Sequence, residues 1–172
     1  MKQQVTLRAI EPEDLDLLYR IENDMSLWRI GSGNVPYSRF ALHEYVERCT
    51  NDIYVDKQMR LMIVNEEQVT VGIIDLMDFS PQHRRAEVGI VLMEQYRRQG
   101  YGMAALEALI QYAHGVVHLH QLYSIIGVSN QASFALFQKM GFTSQICLKD
   151  WLLSEENYED AHLMQYFFEK VL

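Results

Sequence analysis

Apolar and polar residues alternate over Val5-Thr6-Leu7-Arg8-Ala9, the period of a short strand. Pro12 follows where a helix begins, because its missing N–H would have no partner there anyway. Leu15, Leu18, Tyr19 and Glu22 continue at helical spacing, and Glu11, Glu13 and Asp14 put carboxylates at the helix start. The run from Gly31 to Pro36 is a loop by composition. From about Ser38, the spacing of Leu42, Tyr45, Val46 and Cys49 at i, i+3, i+4, i+7 predicts a second helix that buries all four. Two strands, Arg60–Val64 and Val69–Asp78, flank the polar turn Asn65-Glu66-Glu67-Gln68. A third runs from about Ala86 to Leu92.

The second half alternates helix with strand. Met103, Leu106, Ile110 and Ala113 mark one face of a helix that starts near Gly100. Leu122–Val128 is β-rich and mostly apolar, as an interior strand is. Asn130 can cap a helix that reaches Met140, where Gly141 ends it. Phe142–Trp151 and Tyr158–Phe168 read as antiparallel strands around a polar turn. The order β-α-α-β-β-β-α-β-α-β-β predicts an α/β fold, one mixed sheet with helices on its faces. No repeat or linker divides the sequence, so residues 1–172 are read as one domain.

Composition narrows the classes. A hydrophobic fraction of 49% with 22% charged residues is that of a globular protein with a substantial core. No apolar run approaches the ~20 residues that cross a bilayer, and the first strand begins too early for a signal peptide. Cys49 and Cys147 have no partner spacing and read as two small buried hydrophobes of a reduced, cytoplasmic chain. The formal net charge of −8 argues against nucleic acid as a partner. It permits a cationic substrate, although acidity for solubility alone accounts for it equally well.

The chemistry-bearing segment is Ala86-Glu87-Val88-Gly89-Ile90-Val91-Leu92, then Met93 to Tyr96, then Arg97-Arg98-Gln99-Gly100-Tyr101-Gly102. A strand, a tight glycine turn and a helix start present unpaired N–H groups and the positive end of a helix dipole, which attract phosphate. Gly100 and Gly102 let the backbone come close, and Arg97 and Arg98 add charge. A plain turn would use the same glycines. Neither G-x-G-x-x-G nor a Walker lysine pattern is present.

Arg97-x-x-Gly100-x-Gly102 after a strand resembles the pyrophosphate loop of the GNAT acetyltransferase superfamily. About thirty residues on, Asn130-Gln131-Ala132-Ser133-Phe134-Ala135-Leu136-Phe137-Gln138-Lys139-Met140-Gly141-Phe142 resembles that family's second signature, an Asn-opened helix along the CoA arm closed by Gly-Phe. His83-Arg84-Arg85-Ala86-Glu87 and Tyr158-Glu159-Asp160-Ala161-His162-Leu163-Met164 are similar to segments of its spermidine and ribosomal-protein N-terminal acetyltransferase branch. The resemblance covers nearly the whole chain. It implies a mixed sheet of about seven strands flanked by about four helices, with acetyl-CoA as cosubstrate. It places Val91, Leu92, Arg97, Arg98, Gln99, Gly100, Tyr101, Gly102, Asn130, Ser133 and Phe137 against that cosubstrate.

The implied reaction moves an acetyl group onto a primary amine, with a small polyamine favoured over a protein amino terminus. An alkyl amine has a pKa near ~10.4 and must lose a proton before it attacks. Glu87 is the candidate base; the competing reading is an outward strand carboxylate paired with Arg84 or Arg85. A backbone N–H near Val91 or Leu92 would face the developing oxyanion. Asn130 would bond the pantetheine arm, serve as an N-cap, or do both. Phe137 departs from the family, where many relatives carry a tyrosine that protonates the thiolate; Tyr101, Tyr123 or water are the substitutes. The loop at Gly31–Tyr37 also lacks the acidic pair that spermidine acetyltransferases carry before their Pro-Tyr. Glu44, Glu47 and Asp52 remain for a polycation or form a solvated helix face.

His114, His118 and His120 cluster without a third ligand at metal spacing and read as surface or packing residues, so no metal is expected. Trp28 and Tyr37 either line the acceptor pocket or simply pack, and packing is favoured for Trp28. An exposed final strand could pair across a homo-oligomer. Two further readings stand beside the enzyme: an acetyl-CoA-binding module impaired at Phe137, and a structural domain of the same fold.

Overall fold

The side-chain alternation of the strands is met by a sheet with helices on both faces. The computed structural model describes residues 3–28, 35–154 and 157–168. The loop residues from Gly31 to Asn34 and the side chain of Trp28 lie outside them.

Seven strands build the sheet: β1 (Val5–Ala9), β2 (Met59–Asn65), β3 (Thr70–Ser80), β4 (Arg85–Leu92), β5 (Gln121–Gly127), β6 (Thr143–Ser154) and β7 (Asn157–Phe167). Their spatial order is β1-β2-β3-β4-β5-β7-β6. Only β4 and β5 run parallel, and the crossover between them carries a helix, as parallel neighbours require. The final strand is therefore interior, held by β5 on one side and β6 on the other. This corrects the expectation of an exposed final strand: β6 and β7 pair antiparallel, and β6 takes the edge.

Four helices of eight or more residues pack on the sheet: α1 (Leu15–Glu22), α3 (Arg39–Arg48), α5 (Tyr101–Gly115) and α6 (Gln131–Lys139). Two single-turn helices, α2 (Met25–Trp28) and α4 (Ile53–Asp56), and 3-10 turns at Pro12–Asp14 and Glu94–Tyr96 have too few residues to show a period. The starts of α3 and α4 are capped by side chains. Ser38 Oγ accepts from the Ala41 N–H at 3.0 Å, and Asp52 Oδ1 from the Tyr54 N–H at 2.8 Å. Ahead of α1, Asp14 Oδ2 accepts the Glu11 N–H at 2.9 Å and the Arg8 guanidinium at 2.7 Å, which fastens the turn to β1.

Period-2 alternation sends neighbouring residues of each strand to opposite cores. On one face Ile74, Leu76, Ala86, Val88, Leu122, Ile126 and Met164 pack against Leu106 and Leu109 of α5 and Phe137 of α6. On the other, Met62, Val64 and Ile73 pack against Leu18 and Ile21 of α1 and Leu42 of α3. Tyr45, Val46 and Cys49 flank this second core half-buried. Cys147 is exposed, contrary to the buried reading, because it lies on the edge strand β6. Among the described residues, no helix is long and apolar enough to cross a membrane.

Candidate active site

β4 and β5 are in register at only three positions, Arg85 with Gln121, Ala86 with Leu122 and Glu87 with Tyr123. Beyond them β4 stays paired to β3 as far as Leu92, and β5 stays paired to β7 as far as Gly127. The two parallel strands therefore part in mid-sheet. The parting joins two environments, one on each face.

On the α5 face, Leu92 ends β4 and the loop to α5 begins. Arg97 Nε donates to the Leu92 carbonyl at 2.9 Å, which ties the loop to the end of the strand and leaves the residue exposed. Arg98 and Gly100 both adopt positive φ, 59° and 96°, so the loop turns sharply twice before the helix. Gly100 supplies the second of these turns without strain. Gln99 Nε2 donates to the Gln95 carbonyl at 2.5 Å, and Tyr101 stands edge-on to Tyr96 with centroids 5.9 Å apart. No side chain caps the N-terminus of α5, so among the described residues its first N–H groups have no intrahelical or side-chain partner and suit an anion. Gly102 is glycine for a different reason: an added Cβ would lie 3.1 Å from Leu136 Cδ2 and 3.5 Å from Leu92 Cδ1. It lets α5, α6 and the end of β4 meet. The set of an uncapped helix start, a glycine turn and two exposed arginines fits a phosphate-bearing ligand.

Asn130 Oδ1 accepts the Ser133 N–H at 3.1 Å, so Asn130 is an N-cap of α6. Phe137, 2% exposed, meets Phe142 edge-on at 4.9 Å. Val91 is half-buried on the α1 face.

On that opposite face, Glu87, Gly89 and Val91 of β4 stand beside Met77, Asp75 and Ile73 of β3, in register. Glu87 is half-buried, and no ion pair joins it to Arg84 or Arg85 among the described residues; Arg84 Nε donates instead to the His118 carbonyl at 2.9 Å. Burial pushes the Glu87 carboxyl above its ordinary range and the charge of Asp78 adds to this, while the Ile125 backbone N–H works the other way. Across the parting, Tyr123 Oη donates to Asp78 Oδ2 at 2.5 Å. Burial and then this bond raise the Tyr123 phenol, so it stays protonated.

Beside this row lies a pocket of about 370 Å³ lined by Glu22, Tyr37, Tyr45, Arg60, Asp75 and Met77, among others. Arg60 organises it. Its Nε and Nη2 donate to Asp75 at 2.9 Å each, and its Nη1 donates to Glu22 at 2.5 Å. Burial disfavours the charged guanidinium, but the two carboxylates more than offset this and raise its pKa. Two carboxylates against one guanidinium give the cluster a formal charge of −1. Sequence reasoning did not single out Arg60, Asp75, Glu22 or Asp78. The one signal was a pair of aspartates, Asp75 and Asp78, in an otherwise apolar strand. Glu44 instead pairs with Arg48 on the surface of α3, and Asp52 caps α4. His114 stacks on Phe168 at 5.0 Å and His120 leans on Phe167 at 5.9 Å.

A model of the acetyltransferase (GNAT) domain matches residues 4–143. The chain is 25% identical to the spermidine N(1)-acetyltransferase of Vibrio cholerae serotype O1, over all of this chain and 98% of that one. It is equally 25% identical to the ribosomal-protein-serine acetyltransferase of Escherichia coli K12, over 95% of this chain and 92% of the other. The Vibrio cholerae spermidine N-acetyltransferase solved with CoA and spermine shares the fold, with a TM-score of 0.87 at 21% identity over 95% of each chain.

Proposed function

The chain belongs to the acetyltransferase (GNAT) family, and from that premise we propose that it carries an acetyl group from acetyl-CoA to a primary amine of a small polyamine. The observation that carries this reading is the half-buried Glu87 at the parting of β4 and β5. It lies between an anion-binding helix start on one face and an acidic pocket on the other.

In this reading the uncapped start of α5, with Arg97, Arg98 and the backbone from Gln99 to Gly102, holds the pyrophosphate of CoA. Asn130, beyond its cap bond, and Ser133 lie along the pantetheine arm. Its thioester enters the parting, where a backbone N–H of Val91 or Leu92 meets the carbonyl oxygen. The amine arrives from the pocket of Glu22, Tyr45 and Asp75. Glu87, directly or through water, removes the ammonium proton, and a carboxyl with a raised pKa is better matched to that task than an ordinary one. The nitrogen lone pair attacks the carbonyl carbon, the C–S bond breaks with its electron pair on sulfur, and N-acetyl amine and CoA result.

The acidic row of Asp75, Asp78 and Glu87 suits a slender polycation, and the chain's relatives include a spermidine acetyltransferase at full coverage. A protein amino terminus is the second reading, supported by the ribosomal-protein-serine acetyltransferase at the same identity. Self-association, in this account, uses β6, which pairs with no strand on its outer edge among the described residues and exposes Ile146, Trp151 and Leu153. Two cysteines in no disulfide, one exposed, suit a reducing, cytoplasmic setting.

Mass analysis of products from acetyl-CoA with spermidine, spermine, simple diamines and ribosomal-protein amino-terminal peptides tests the assignment. Singly acetylated polyamine is expected. Acetylated peptide alone would move the acceptor to the second reading, and no product from any amine would overturn the enzyme.

A further inference from the structure

Three polar residues are buried among the described ones: Asp14, Asn65 and Ser124. Two are fully explained by their bonds. Asp14 receives Arg8 and the Glu11 N–H, and Asn65 Oδ1 receives the N–H groups of Glu67 and Val69. Ser124 is 5% exposed, and its hydroxyl makes no hydrogen bond among the described residues. Every fully occluded side-chain polar atom among them has a partner. The Ser124 Oγ therefore borders open space, although the residue is buried. A hydroxyl in this setting gains no hydrogen bond from the protein around it.

Its position gives the reason. Glu87 and Tyr123 are the last matched pair of β4 and β5, so Ser124 is the first residue of β5 past the parting. Alternation along the strand turns it to the same side as Leu122 and Ile126, the face on which Phe137 of α6 packs. Tyr123 and Glu87 face the other way, on the side of Met77 and Asp75. A hydroxyl thus stands at the opening of the parting, on the side of α6, where Phe137 carries none.

We propose that the Ser124 hydroxyl is a catalytic hydrogen-bond donor to the sulfur of the departing CoA thiolate. This rests on the reading of the donor site given above. Serine has one O–H to give, and a bond to an ionised acceptor is stronger than one to a neutral acceptor. As the C–S bond breaks and its electron pair moves to sulfur, Ser124 Oγ–H donates to that sulfur. The thiolate then takes its proton from solvent, and Ser124 ends the cycle unchanged. An ordinary thiol has a pKa near ~8.5, so stabilising the thiolate without protonating it suffices for departure near neutral pH.

The test uses the Ser124→Ala, Ser124→Thr and Ser124→Val proteins. Threonine keeps the donor, and valine keeps threonine's shape without it. The ionisation of enzyme-bound CoA is followed by thiolate ultraviolet absorbance, and kcat is measured with saturating amine. In the wild-type and Ser124→Thr proteins the bound thiol should ionise at lower pH than in the alanine and valine variants, by about one pH unit. The kcat of the last two should fall on the order of ten-fold, with acetyl-CoA affinity unchanged. Identical titrations of bound CoA in all four proteins, or equal losses in the threonine and valine variants, would overturn the proposal. If wild-type protein binds CoA and turns over while these readouts do not move, Ser124 alone is refuted. If it fails to bind CoA, the functional reading falls with it.

Discussion

Glu87 and Tyr123 face each other at the last matched position of β4 and β5, and the strands part immediately beyond them. Their side chains share a face but have different partners. Tyr123 is engaged by Asp78 at 2.5 Å, whereas Glu87 is left half-buried and, among the described residues, has no ion pair to a neighbouring arginine. A half-buried carboxyl with a raised pKa at a break in a sheet is the arrangement expected of a base.

Replacing Glu87 by Gln should lower kcat/KM by roughly 100-fold or more. In the wild-type protein kcat/KM should rise as pH passes through the Glu87 pKa, which burial holds above the ordinary carboxylate range. The Gln variant should lose that limb, and steady-state rates across pH decide it. Stability should respond in the opposite sense. A carboxyl whose pKa is raised by folding favours the folded state at low pH and loses that contribution as pH rises through the folded value. Glu87→Gln should therefore be the more stable protein at neutral pH, with the gap closing on acidification in denaturant titrations.

Much of this was legible in the sequence, and the rest has a physical reason. Alternation located the strands, and the glycines and arginines from Arg97 to Gly102 marked the turn into α5. Single-turn helices such as α4, capped by Asp52, leave no periodic trace. The pocket was invisible because Arg60 meets Asp75 across 15 residues of sequence and Glu22 across 38. Pairings at such separations follow from strand order, which local pattern does not encode. Ser124 is one polar residue in a mostly apolar strand, and only the parting gives it a location.

Arg60 anchors two carboxylates in one pocket, all three side chains less than a quarter exposed. Arg60→Leu leaves Glu22 and Asp75 without their shared cation and should cost about 3 kcal/mol, measured by urea unfolding. Arg60→Lys should recover only part of this, because an ammonium cannot reproduce the bidentate bond to Asp75.

Asp14 ties the start of α1 to β1 through Arg8. Burial works to raise its carboxyl, but Arg8 and the Glu11 N–H hold it below the ordinary range. A depressed carboxyl contributes stability above its unfolded pKa and loses it as pH falls through the folded one. Asp14→Asn should destabilise the protein by about 1–3 kcal/mol at neutral pH, and the difference from wild type should shrink in acid. A constant difference across that range would assign the loss to packing.

Two glycines should respond very differently to alanine. At Gly72 an added Cβ would lie 2.2 Å from the Val91 carbonyl oxygen, a backbone atom held in the β3–β4 ladder. At Gly102 the close neighbour is the tip of Leu136, 3.1 Å away, which can give. Gly72→Ala should lower stability by about 2 kcal/mol or more and displace Val91, while Gly102→Ala should cost less than about 1 kcal/mol. Thermal unfolding of the pair is sufficient.

The central claim is acetyl transfer to an amine at the parting of β4 and β5. The most direct test is the initial rate of free-thiol release from acetyl-CoA, with and without spermidine, in the wild-type and Glu87→Gln proteins. The account predicts spermidine-dependent release by the wild-type protein that saturates with amine and falls by roughly 100-fold in the variant. Thiol release that ignores the amine, or survives intact in Glu87→Gln, would contradict it.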